Sequence, residues 1–119
     1  MGQFSVRIKV AHPFDASRSE ETELLVDTGA TLSWIPREVI QKTGVPLSQR
    51  RTFLVADGRK VERDTAGVLL RFNGTEAIVT VVVAEPEDGR LLGATALEIL
   101  GYGVDPIKLE LIPRALLAM

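Results

Sequence analysis

The residues with the clearest capacity for chemistry lie in Leu24-Leu25-Val26-Asp27-Thr28-Gly29-Ala30, where a carboxylate ends an apolar strand on a tight Gly-containing turn. A carboxylate held in such a place can take a proton from water or return one to a leaving group. Taken alone, Asp-Thr-Gly is also an ordinary structural turn, because Asp side chains accept hydrogen bonds from nearby backbone N–H groups. Other reactive residue types are sparse. The single histidine, His12, sits beside Pro13 in a polar stretch and lacks the partners of a triad or metal site, so it reads as solvated. The chain has no cysteine, which excludes disulfides, thiol nucleophiles and thiolate zinc sites. Glu20, Glu21 and Glu23 read as a solvated edge, not a metal cluster. Asp57 and Asp105 adjoin Gly58 and Pro106 and read as turn formers. Trp34 reads as core or interface packing. Neither a metal nor a cofactor is expected.

The elements that must position Asp27 are short and mostly extended. Gln3 to Val10 alternates and is rich in β-branched residues, predicting a strand. His12 to Glu21 reads as a connecting loop. Glu23 to Asp27 predicts the strand that carries the carboxylate, and Thr31 to Ile35 a further short strand. Pro36 to Thr43 predicts a short helix with Pro in its first turn and Gly44 as its left-handed stop. Asp57-Gly58 between RTFLVA and RKVERD is a two-residue hairpin signal over Arg51 to Asp64. Gly67 to Phe72 and Glu76 to Ala84 form a second strand pair, turning at Asn73-Gly74. After Leu91-Leu92-Gly93, Thr95 and Glu98 suggest a capping box opening a helix that ends near Gly101. Lys108 to Ile112 predicts the last strand. The pattern is that of a mainly β, largely antiparallel domain with one or two short helices, spanning residues 1–119 as a single unit.

With the motif and this order of elements in view, the chain resembles the retropepsin-like (retroviral-type) aspartic peptidases, in particular their cellular and prokaryotic members. The likeness runs from about Ser5 to Ile112: DTGA, a short strand, a hairpin in the place of the flap, the strand pair GVLLRFNGTEAIVTVVVA, LLGATAL and a final IKLEL. It implies the single-domain retropepsin-like acid-protease fold and an aspartic endopeptidase acting through Asp27. One Asp cannot both deprotonate water and protonate a leaving amine, so the resemblance further implies a homodimer with an Asp27/Asp27′ dyad on its two-fold axis and a peptide or protein substrate. Aspartic proteases are the general example of two carboxylates sharing one proton because like charges that close cannot both ionise.

The family's supporting roles carry over residue by residue. Thr28 bonds across the axis, and Gly29 leaves room for the partner loop and substrate. Ala30 lacks the hydroxyl that many pepsin-like enzymes point at the carboxylate, which implies activity displaced toward weakly acidic or neutral pH. Ala56, Asp57 and Gly58 form the flap tip, which differs from the Gly-rich viral tip. Leu91, Leu92 and Gly93 pack beneath the active-site turn, Leu92 serving as core or as a subsite wall. Two features depart from the viral pattern. The Arg–Asp brace is absent, its positions being Ala94 and Thr31, and the first core strand begins almost at Met1. The apolar segment Lys108 to Met119 is therefore expected to make most of the dimer contact.

Composition bounds the alternatives. With 119 residues, 45% hydrophobic, the chain can bury a core and is not expected to be disordered. The formal net charge is −2 and basic residues are scattered, so nucleic acid is not an expected partner. No apolar run approaches the roughly 20 residues of a membrane helix, and no signal layout is seen, so no membrane partner and a cytoplasmic location are expected. The main competing reading is a catalytically weak or inactive module that keeps the fold for dimerisation or peptide binding. A sugar-kinase or actin-like phosphate loop also ends a strand on Asp-x-Gly, but needs two large lobes and a second phosphate motif that this chain is too short to hold.

Overall fold

The structure, a computed structural model, describes residues 2–115. Its elements in chain order are β1 (Ser5–His12), β2 (Asp15–Val26), β3 (Trp34–Pro36), α1 (Arg37–Thr43), β4 (Leu47–Leu54), β5 (Lys60–Phe72), β6 (Thr75–Ala84), β7 (Leu91–Leu92), α2 (Ala94–Leu100), β8 (Tyr102–Asp105) and β9 (Glu110–Pro113). The mainly β expectation holds, and so do both short helices. Each helix ends on a left-handed glycine, Gly44 at φ 72° and Gly101 at φ 87°, where a Cβ would be strained.

Seven strands form one sheet in the order β1-β2-β7-β3-β6-β5-β4, and a β1–β5 pairing closes six of them into a ring. The long β5 makes this closure possible. Its start pairs with β4 and its end pairs with β6, while Leu69 to Arg71 also bond to β1. Inside the ring, Ile8, Val10, Leu24, Ile35, Val68, Leu70, Val81, Val83 and Leu92 pack against Val39 and Ile40 of α1 and Leu97 and Leu100 of α2. Each such side chain contributes roughly 1.5–3 kcal/mol on burial, so this interior is the main stabilising term.

Several local expectations are corrected. The polar stretch His12 to Glu21 is not a loop: from Asp15 onward it is strand, paired with β1 through Ala11↔Ser19 and Lys9↔Glu21. Its outer residues face solvent, so pairing, not apolar alternation, satisfies its backbone groups. The segments taken as a flap arm and a separate strand are one continuous β5. The Asp57-Gly58 turn is a three-residue loop. Val55 and Arg59 close it, the Gly58 N–H donates to Val55 O (2.9 Å), and Gly58 alone has positive φ, whereas a two-residue I′ turn needs two such residues. Asn73-Gly74 does form the two-residue turn, at φ 49° and 80°. The last strand starts at Glu110, not Lys108, because Leu109 is left-handed (φ 54°) and Asp105 Oδ1 accepts the N–H groups of Ile107 and Lys108. Its partner β8 was not anticipated. Of the apolar tail assigned to the dimer contact, residues 116–119 lie outside the described residues.

Candidate active site

Asp27 follows the last residue of β2, where the sheet grips the chain from both sides. The Val26 N–H donates to Phe4 O, and the N–H groups of Leu25 and Asp27 donate to Arg90 O and Leu92 O, each at 2.9 Å. The strand therefore cannot slide, and the carboxylate leaves it at a fixed height. Thr28 and Gly29 then turn outward, exposed, and the Ala30 N–H closes the turn on Asp27 O (3.2 Å). The Gly29 N–H donates to Asp27 Oδ1 (2.9 Å), orienting the carboxylate with a backbone dipole. A Cβ on Gly29 would stand 3.2 Å from that oxygen, so the glycine keeps the carboxylate uncrowded. Among the described residues the Thr28 hydroxyl has no hydrogen-bond partner.

The turn rests on Leu91-Leu92-Gly93, as the resemblance implied. Leu92 is fully buried and belongs to the core, which resolves its role; Leu91 is half-buried on the other face. A Cβ on Gly93 would lie 2.7 Å from both Ala30 O and Leu32 O, backbone atoms with no freedom to yield. This approach lets the first N–H groups of α2 serve the turn: Ala94 N–H donates to Ala30 O (2.7 Å) and Thr95 N–H to Thr31 O (3.1 Å). That use corrects the capping-box expectation. The cap is Gly93, with no side-chain cap bond, and Thr95 lies inside the helix. It also shows what stands where viral enzymes have an Arg–Asp brace: direct backbone bonds between helix and turn.

Ser33 completes the support and was missed at the sequence level. Buried beneath the turn, its Oγ accepts the Gly93 N–H (2.9 Å) and its carbonyl accepts the Val82 N–H (2.9 Å). A lone Ser within the apolar stretch TLSWIP was the available signal.

Ala56, Asp57 and Gly58 sit exposed at the tip of the β4–β5 hairpin, away from the turn in sequence and sharing no hydrogen bond with it. Asp57 accepts from Arg59 N–H (3.0 Å) and Nε (2.6 Å), which hold its carboxyl below the usual range, so it is a turn former. Trp34, read as core or interface, is not in the core cluster; its ring meets Phe53 of β4 edge-on at 5.7 Å. The base of the hairpin is fastened by ions. Arg37 bridges Asp64 (2.8 Å) and Glu85 (3.0 Å), Arg50 joins Asp64 (3.3 Å), and Arg63 pairs with Asp88 (2.7 Å). Asp88 also accepts the Glu85 N–H (2.8 Å). Hydrogen bonds from Arg37 lower the carboxyls of Asp64 and Glu85, and those from Arg63 lower that of Asp88.

Two surface concavities, of about 470 Å³ around Arg7, Lys9 and Arg71 and about 180 Å³ around Pro36, Glu85 and Arg90, both lie away from Asp27. The larger is lined by strand residues whose charges alternate, Arg7 and Arg71 pairing with Glu21 and Glu76, so size does not mark it as a site. In one chain Asp27 stands on an open surface.

The model of the family described as aspartyl protease matches residues 16–102. The chain belongs to the aspartyl protease family. No curated protein sequence matches it. Among solved structures it is similar to EIAV protease complexed with the inhibitor HBY-793, at 18% identity and TM-score 0.62, covering 84% of this chain and 89% of that one. It is also similar to a retropepsin-like aspartic protease from Rickettsia conorii, at 19% identity and TM-score 0.53, covering 87% of this chain and 85% of that one. At such identities these likenesses establish the retropepsin-like fold. Among the described residues no helix is long and apolar enough to cross a membrane.

Proposed function

We propose that this aspartyl protease family member is an endopeptidase whose site forms only when two copies meet, each supplying Asp27. The observation that carries the reading is the single Asp-Thr-Gly turn: its carboxylate is oriented, braced by β7 and α2, and left on an open surface with no second carboxyl beside it. A two-fold contact through the exposed Thr28 and Gly29 puts the two Asp27 side chains face to face. The pair then shares one proton. Its ionised member activates a water for attack on the scissile carbonyl, and its protonated member polarises that carbonyl and later passes a proton to the departing amine. Apparent titration steps belong to the pair, not to either residue.

The supporting groups have separate tasks. Thr28 links the two turns across the axis, and Gly29 lets them approach. Gly93, Ser33 and the start of α2 hold the turn from below. The β4–β5 hairpin closes over the peptide and excludes water, its base anchored by Arg37 and Arg63. The C-terminal segment from Lys108 onward, including the β8–β9 hairpin with its exposed Ile107 and Ile112, contributes most of the remaining dimer contact. No metal or cofactor takes part. A peptide-library digest comparing wild type with Asp27→Asn tests the reading: cleavage by wild type and none by the variant support it. Peptide binding by both without cleavage by either marks the non-catalytic module.

A further inference from the structure

The face of the sheet that carries Asp27 also carries an aromatic pair that the peptidase reading leaves without a role. Leu24 and Val26 pack on the core, so strand alternation puts Leu25 and Asp27 on the opposite face. Register extends that face sideways: Leu25 stands opposite Leu91 of β7, and Leu91 opposite Trp34 of β3. The next residues along, Leu92 and Ile35, are in the core, and Leu25, Leu91 and Trp34 are not. All three of the latter are half-buried, so part of their apolar surface meets solvent in a single chain. The far end of this strip is closed by Phe53 of the flap arm, whose ring meets that of Trp34 at 5.7 Å with planes 64° apart.

The dimensions match an extended peptide. Strands spaced about 4.8 Å apart put Trp34 about 10 Å from the strand of Asp27, while same-face side chains of an extended peptide recur about every 6.8 Å. A substrate cleaved at Asp27 therefore brings a side chain near the scissile bond against the indole. That indole, wedged by Phe53, already fills most of the strip's far end. We infer that Trp34 is a specificity-determining residue: it walls the cleft so that the substrate position facing it accepts Gly, Ala, Val or Thr, and excludes Leu, Met and Phe. Two-fold symmetry places one such restricted position on each side of the scissile bond. The inference rests on the peptidase reading.

The test is a digest of a peptide library randomised around the cleavage site, by wild type, Trp34→Val and Phe53→Leu, with thermal melting as a check on folding. Wild type is expected to prefer small residues at one position per side. Trp34→Val should raise kcat/KM for Leu, Met and Phe there by roughly tenfold or more relative to Ala, the scale at which one or two methylenes are discriminated. Phe53→Leu should shift the preference in the same direction and less far. An unchanged preference in a folded Trp34→Val overturns the inference. So does an equal loss on every substrate, which would show that the pair only fastens the flap. If Trp34→Val does not fold, Trp34→Phe, a shorter wall that keeps an aromatic contact, decides on the same readout. Absent wild-type cleavage, or cleavage that survives Asp27→Asn, overturns the peptidase reading and this inference with it.

Discussion

Replacing Gly93 with alanine adds one methyl group at the point where the account places the greatest demand. The new Cβ would stand 2.7 Å from the carbonyl oxygens of Ala30 and Leu32 and 2.8 Å from the Leu32 carbonyl carbon. Ordinary contact begins several tenths of an ångström farther out, and the obstructing atoms are backbone, so relief requires moving the turn or the start of α2. Either movement strains the Ala94-to-Ala30 bond (2.7 Å) and the Gly93-to-Ser33 bond (2.9 Å). Overpacking of this kind costs about 1–3 kcal/mol, and in a domain of this size each kcal/mol lowers Tm by about 3–6 °C. The catalytic cost should be larger in proportion, because a displacement of about 1 Å at a reacting group costs on the order of 10²-fold in rate. Differential scanning calorimetry and kcat/KM on a cleavable peptide measure the two effects. A Gly93→Ala variant with wild-type Tm and wild-type kcat/KM refutes the reasoning.

Three further outcomes follow from the same geometry. Ser33→Ala leaves the buried Gly93 N–H without its acceptor and should destabilise by about 1–3 kcal/mol in chemical denaturation, whereas Ser33→Thr, which keeps a hydroxyl, should recover part of it. Ala30→Ser returns a donor toward the carboxylate and should move the acid limb of the pH–rate profile to lower pH; an unmoved limb counts against the role given to Ala30. Asp64, Glu85 and Asp88 have folded-state pKa values below their ordinary ones, so their pairing stabilises above the unfolded carboxylate range and is lost as pH falls through the lowered values. Melting scans should show stability falling below about pH 4, and Arg63→Met, which removes the partner of the well-covered Asp88, should cost about 1–2 kcal/mol at pH 7 and flatten that fall.

The fold was legible where residue types carry conformational instructions. The strand into Asp27, the stops at Gly44 and Gly101, and the Asn73-Gly74 turn all follow from side-chain pattern or positive φ. The start of β2 was not legible, because a strand paired on one side with both faces polar lacks alternation. Thr95 and Glu98 matched a capping box, yet the helix N–H groups are spent on the carbonyls of the catalytic turn, a long-range contact that no local pattern announces. For the same reason the supporting role of Ser33 and the Arg37–Asp64–Glu85 bridges were invisible, since partners 27 to 60 residues apart meet only after the ring closes. Trp34 was read as core from its size alone, and only the register with Leu91 places it on the face of Asp27.

The central claim is that each active centre needs Asp27 from two chains, and mixing tests it most directly. Wild type and Asp27→Asn are combined at equal amounts, unfolded and refolded together at a concentration well above dimer dissociation, and assayed for peptide cleavage. Random pairing leaves about one quarter of dimers with two Asp27 carboxylates, so activity per wild-type chain should fall to about half. Activity per wild-type chain that is unchanged by the variant would contradict the claim, because it would place a complete site within one chain.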